Sequence, residues 1–328
     1  TTSKVEKKVE TTNTEAYEYY LKAKYKYVKR TNREDIQIAR GLLQKAIKLD
    51  INLLWAQFLL GFTYKNTGDY NKAMKIYIPA LKQAKINNDK NVQTWLLSSL
   101  GTIYRHKGDY NKSLSYLTQA LAIDEERGNK SGIASWLNNI ALIYDAQDDW
   151  EKALDYFTRA LEISEEIGGK YGVSIALGNI GCIYTYNGDY DRALDFLKRA
   201  NKTFEEFSDN RILGNWLSSM GNVYSFKGDY ERALDYYTRS LKMQEELGDK
   251  RLIMNNLKCI GINYYYKSNY EKAIEYLNKS SLIRKKSELN LNLSLGTTTY
   301  LYLIYKHLGK DYDVNEIHTL IKEAENIE

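Results

Sequence analysis

One short phrase recurs six times along the chain at an interval of 40 residues, and it constrains the fold more than any single residue does. It reads Gly68-Asp69-Tyr70, Gly108-Asp109-Tyr110, Asp148-Asp149-Trp150, Gly188-Asp189-Tyr190, Gly228-Asp229-Tyr230 and Ser268-Asn269-Tyr270. Seven residues before each phrase lie Gly61, Gly101, Ala141, Gly181, Gly221 and Gly261. Five residues after each start lie Ala73, Ser113, Ala153, Ala193, Ala233 and Ala273. A repeat of this length marks one supersecondary unit that cannot bury its apolar face alone and must stack on copies of itself.

Each copy reads as two helices. In residues 131–166 the apolar positions Ala134, Leu137, Ile140, Ala141 and Tyr144 fall at helical spacing. The polar stretch Gln147-Asp148-Asp149-Trp150 breaks that pattern. A second apolar face follows, built from Ala153, Leu154, Phe157, Ala160 and Leu161, and Gly168-Gly169 ends it by supplying a left-handed residue. Gly128 and Gly248 stop the neighbouring copies in the same way. Small pairs such as Gly181 with Ala193 are expected where the two helices cross. The aromatic of each phrase is expected to pack back over the first helix of its own copy.

Composition agrees. One proline in 328 residues, against an ordinary share of ~5%, suits a chain made almost wholly of helix. That proline, Pro79, falls inside a second helix and is expected to kink it. Cys182 and Cys259 lie almost two repeats apart, too far for a disulfide, and are expected as free thiols in a reducing compartment. The charge of +5 comes from 47 basic and 42 acidic residues that are well mixed. No basic stripe of the kind nucleic acids need is present beyond Lys4–Lys8 and Lys22–Arg33. No apolar run approaches a membrane span. A cytoplasmic location follows as the expectation, and Thr1 in place of Met points to a processed product or a piece of something longer.

These features resemble the tetratricopeptide repeat. The fifth copy carries Leu177, Gly181, Tyr184, Ala193, Leu197 and Ala200 at that family's defining positions, and the sixth carries Leu217, Gly221, Tyr224, Ala233, Tyr237 and Ser240. Two features depart from it. The family's proline near the end of the second helix is missing, and the period is 40 rather than 34, which implies longer helices, as in kinesin light chains and polarity adaptors. The resemblance implies an all-α, right-handed α-solenoid of about eight helix-turn-helix pairs. Residues 1–12 are expected as a disordered tail, and 13–328 as a single solenoid with repeats near 14–49, 53–86, 91–126, 131–166, 171–206, 211–246, 251–286 and 291–328. A closing helix is expected from Val314 to Ile327, and Tyr305 with Gly309 shows the register slipped by one residue. Residues Glu15 to Lys24 are similar to the entry repeat of bacterial arrays that follow adenylate cyclase or DNA-binding regulator domains.

Nothing in the chain assembles a catalytic constellation. His106, His307 and His318 lack metal-ligand spacing, and no phosphate loop or nucleophile elbow occurs. No enzyme activity, no metal and no cofactor are expected. The resemblance implies instead a protein–protein interaction scaffold whose first helices line a groove for a partner's peptide. The candidates there are Trp95, Arg105, His106, Asn138, Asn139, Asn179, Tyr186, Asn215, Asn222, Asn255 and Lys258, with Ser98 and Ser99 among their neighbours. Asn offers both a donor and an acceptor, so a row of them can pair with the main chain of an extended, not strongly charged segment. Trp55, Phe58 and Phe62 would form either an apolar end pocket or a surface covered by the first helix pair. The carboxylate clamp of some family members is not expected, because Lys65, Arg105, Asn66 and Asn139 do not keep its spacing. Two alternatives stand beside the scaffold: a regulatory region of a larger bacterial signalling protein, or a module that self-associates through its Tyr-rich outer surface.

Overall fold

The repeat resolves into helical hairpins in a computed structural model, which describes residues 13–30, 33–205, 210–287, 292–310, 315 and 318. Fifteen helices fill the described residues, and none of them is in a strand. They are α1 (Thr14–Val28), α2 (Arg33–Leu49), α3 (Leu54–Asn66), α4 (Tyr70–Ile86), α5 (Lys90–His106), α6 (Tyr110–Glu126), α7 (Lys130–Ala146) and α8 (Trp150–Glu166). They continue with α9 (Lys170–Tyr186), α10 (Tyr190–Glu205), α11 (Asn210–Phe226), α12 (Tyr230–Leu247), α13 (Lys250–Tyr266), α14 (Tyr270–Ser287) and α15 (Asn292–His307). The expected tail 1–12 and the closing helix 314–327 fall mainly outside the described residues. Two compact units divide the chain, Thr1–Gly172 and Val173–Glu328. Each is an all-α solenoid in which successive helices pack on one another.

The turn chemistry follows the phrase residue by residue. Gly68, Gly108, Gly188 and Gly228 take φ of 76–81°, a left-handed conformation that glycine adopts without steric penalty. Asp148 and Ser268 hold the same place at φ 58° and 59°, so those two turns carry a strained residue. The next residue caps the second helix. Asp69, Asp109, Asp149 and Asp229 each accept a hydrogen bond from the backbone N–H three residues on, an interaction worth about 1 kcal/mol per cap. Gly309 also lies at positive φ, one residue past the 40-residue beat, as the slipped register requires.

Close approach explains the other small residues. A Cβ placed on Gly101 would lie 2.9 Å from Leu117, and one on Gly181 would lie 2.8 Å from Leu197. At Gly61 and Gly221 the intruding side chain is tyrosine, Tyr77 and Tyr237 respectively. The core of each hairpin is therefore a second-helix side chain pressed onto bare first-helix backbone. Helix α4 runs on through Pro79 from Tyr70 to Ile86.

One expectation is corrected. The aromatic of the phrase stacks forward onto the next repeat, while Tyr270 also meets Tyr265 of its own first helix at 6.0 Å. Tyr70 stacks on His106 (5.5 Å, 7°), Tyr230 stacks on Tyr266 (5.5 Å, 8°), and Tyr270 meets His307 at 4.7 Å. The ring stacked within each hairpin is a different one: Tyr104 on Tyr116, Tyr144 on Tyr156, and Tyr224 on Tyr236. A cation from the capped turn covers each stack, as Lys112 does over Tyr104 at 5.3 Å and Arg232 over Tyr224 at 4.7 Å. Arg159 and Arg239 cover the outer rings Tyr156 and Tyr236. Much of the unusual tyrosine content is consumed by these joints.

Candidate functional site

In the first unit α3, α5 and α7 are neighbouring first helices that touch in sequence. Their common face carries an aromatic strip. Phe58 stacks on Phe62 and Tyr77 at 6.0 and 6.1 Å, and it meets Trp55 and Trp95 edge-on at 5.6 and 6.1 Å. Trp95 then meets Trp136 at 5.6 Å and remains 48% exposed. At the other end Tyr27 of α1 covers Phe62 edge-on. The rings of Trp55, Phe58 and Phe62 are thus half-buried and partly roofed by the first helix pair.

Beside the strip runs a line of charges, one per repeat: Lys65, Arg105 and Asp145. All three are half-buried, and none makes an ion pair among the described residues. The Lys65 ammonium lies 4.8 Å from the centre of the Phe62 ring. Burial and the nearby Arg105 charge pull Lys65 down to about 8. Burial also lowers Arg105, against the pull of Asp145, and raises the Asp145 carboxyl, against the pull of Arg105. Deeper in the same unit, the buried Asp124 carboxylate pairs with Arg127 at 3.0 Å and accepts from the Trp136 indole at 2.7 Å.

In the second unit the same line reads Thr185, Ser225 and Tyr265, so its charge is gone. A hydrogen-bonded seam joins adjacent first helices in its place. Trp216 sits in a socket left by Gly178, where a Cβ would lie 2.3 Å from the ring, and its indole donates to Ser174 at 3.1 Å. Ser218 donates to Asn256 at 3.0 Å, and Asn256 donates to Ser240 at 2.9 Å. The Tyr237 hydroxyl, passing Gly221, donates to Asn222 at 2.6 Å. Cys182 contacts Ser219 at 3.6 Å; both cysteines are free thiols, and burial raises Cys259.

The sequence candidates separate into three groups. Asn139, Asn215 and Asn255 are half-buried on first helices, and their side-chain amides make no hydrogen bond among the described residues. Trp95, Arg105, Asn138, Asn179 and Lys258 are also half-buried or exposed there, and Tyr186 is 59% exposed. His106 and Asn222 are engaged within the fold, by Tyr70 and Tyr237. Ser98 and Ser99 are buried and present nothing to a partner. Sequence reasoning missed Tyr77, Trp216 and Asn256, and read Tyr237 only as a defining position of the repeat. The available signal was a break in register: tyrosine at 77 and 237 where other copies have Leu117, Phe157, Leu197 and Leu277, and glycine at 178 where they have Phe58, Ser98, Asn138, Ser218 and Lys258. Among the described residues, no three His, Cys, Asp or Glu side chains gather as metal ligands, and no helix is long and apolar enough to cross a membrane.

The family model of the tetratricopeptide repeat matches residues 52–126, 132–206 and 212–286. The chain belongs to the tetratricopeptide repeat family. No curated protein sequence matches it. Solved structures of similar fold include a Rap protein complexed with competence and sporulation factor, at 19% identity and TM-score 0.67, covering 84% of this chain and 76% of that one. The apo form of RapI is 16% identical at TM-score 0.65, over 84% of this chain and 99% of its own. A signal transduction ATPase with numerous domains and a tetratricopeptide repeat sensor, from Pyrococcus horikoshii, is 16% identical at TM-score 0.63, over 94% of this chain and 53% of that one. At such identities the likeness is one of fold.

Proposed function

We propose that this chain is a non-enzymatic binding scaffold whose first helices receive an extended segment of a partner protein. The observation that carries the reading is the pair of half-buried, unbonded amides of Asn215 and Asn255 in the second unit. A helix interior disfavours asparagine, which competes for backbone hydrogen bonds. An amide of this kind keeps contact with water and can exchange it for a ligand, since the buried polar atoms lacking a partner include none of these. An extended peptide backbone supplies the alternating donors and acceptors that would satisfy it. Asn215 and Asn255 occupy the same register on consecutive first helices, α11 and α13.

The test is co-purification from the source organism with identification of the bound protein, followed by binding to the variant Asn215→Ala with Asn255→Ala. A loss of at least tenfold in affinity with an unchanged helical spectrum is expected. Unchanged affinity would remove the groove reading.

A second reading, a regulatory sensor region within a larger signalling protein, draws on the fold shared with the multidomain ATPase, of which this chain spans about half. Coding sequence upstream of Thr1 for a cyclase, ATPase or DNA-binding domain would support it, and an initiator Met adjacent to Thr1 would count against it.

A further inference from the structure

The charge line of the first unit contains two cations that the fold leaves without an ion pair among the described residues. Lys65 on α3 and Arg105 on α5 stand at the same register of adjacent first helices, both half-buried. Placing like charges side by side and partly out of water raises the energy of each. A fold with no use for them would be expected to carry neutral residues, as the second unit does with Thr185 and Ser225. Asp145, the acid next in line, acts on Arg105 and stands two repeats from Lys65. An anion is therefore wanted at Lys65. The surroundings define its chemistry further: the Phe62 ring lies under the ammonium and Trp95 stands exposed on the neighbouring helix.

We propose that the Lys65–Arg105 pair binds the side-chain carboxylate of an acidic residue in a peptide whose adjacent apolar side chain rests on Trp95. The proposal rests on the scaffold reading and deepens it, placing a single acidic residue in a partner otherwise expected to be weakly charged. A side-chain carboxylate is favoured over a chain terminus by position. First helices lie on both sides of the pair, α1 meeting α3 through Tyr27 and Phe62 and α7 meeting α5 through Trp136 and Trp95, so the pair stands inside the array and not at its end. A carboxylate bound between two cations makes charge-assisted hydrogen bonds, roughly twice as strong as neutral ones.

Three probes decide the matter on the full chain: acetyl-Leu-Glu-Leu-amide, its Gln counterpart, and acetyl-Leu-Gln-Leu with a free carboxyl end. Binding is read from the Trp95 indole and Arg105 side-chain signals in nuclear magnetic resonance. The Glu peptide should shift both saturably and bind at least fivefold tighter than the Gln peptide. Lys65→Met and Arg105→Met should each bring the two peptides within twofold, Lys65→Arg should restore the difference, and Lys227→Met in the second unit should leave it intact. The Lys65 titration midpoint should rise from about 8 when the Glu peptide is bound. Equal binding of the Glu and Gln peptides, or no saturable shift with any probe, overturns the proposal. Tighter binding of the free-acid peptide overturns the assignment to a side chain. These probes require no native partner, so failure of the Asn215 and Asn255 test would not affect this outcome, nor the reverse.

Discussion

The two units use one set of turns and helix crossings and place different chemistry on their first helices. In the first, the recurring line is Lys65, Arg105 and Asp145 beside a strip of stacked aromatics. In the second, the line is uncharged, and the neighbouring positions are tied together by Trp216 in its Gly178 socket and by the Ser218–Asn256–Ser240 seam. The difference teaches that an array of this kind separates its tasks by position. Residues that repeat make the stack, and residues that vary either lock one particular joint or face outward.

The largest expected effect probes the lock. Gly178→Val drives a side chain into the Trp216 ring and should destabilise the second unit by about 3 kcal/mol, in line with overpacked cores. Hydrogen exchange would show it as lost protection in α9 to α11 with α3 to α6 unchanged. Equal loss in both units would mean that the two are one cooperative body.

Next is the pH response of the charge line. The folded chain holds Lys65 at about 8, below the ordinary lysine value of 10.5. Between those values the unfolded chain binds the extra proton, so stability should rise as pH increases from about 8 to about 10.5. The difference between wild type and Lys65→Met across that window isolates this effect from tyrosine ionisation. A flat difference would show that Lys65 is well solvated.

A smaller contrast separates two tyrosines at the same register. Tyr237→Phe removes the hydrogen bond to Asn222 and should cost about 1 kcal/mol in thermal unfolding. The Tyr77 hydroxyl is buried beside Ser99 without a well-formed hydrogen bond, so Tyr77→Phe should be neutral or stabilising. Equal costs would erase the distinction. The smallest effect is the shared one. Asp109→Ala and Asp229→Ala each remove a cap and should cost about 1 kcal/mol alike in either unit.

Much of this was legible in the sequence, for a physical reason. Left-handed turns, caps and close helix crossings each favour a particular residue type, so the residues at Gly68, Asp69 and Gly61 declare themselves by recurring on most beats. The direction of Tyr70 did not. A period of 40 places an identical first helix before and after each phrase, and only the rings of His106 and Tyr266 show which one is met. The site was less readable still. Asn139 and Asn222 look alike in sequence, yet one amide is unbonded and the other receives the Tyr237 hydroxyl, because that depends on a side chain threading past Gly221 from another helix. Ser98 and Ser99 looked exposed because polar residues usually are, but both are buried.

The forward-pointing joints have a mechanical consequence. Tyr70 to His106, Asp191 to Lys227 and Glu231 to Lys267 all link residues 36 apart and reach only the adjoining hairpin. Under tension from its two ends such a chain should behave as a row of near-identical springs and yield one hairpin at a time. Each rupture would release about 40 residues of slack, roughly 140 Å of extended chain. An optical trap would record that as an evenly toothed trace, with the tooth for the Trp216 joint standing highest.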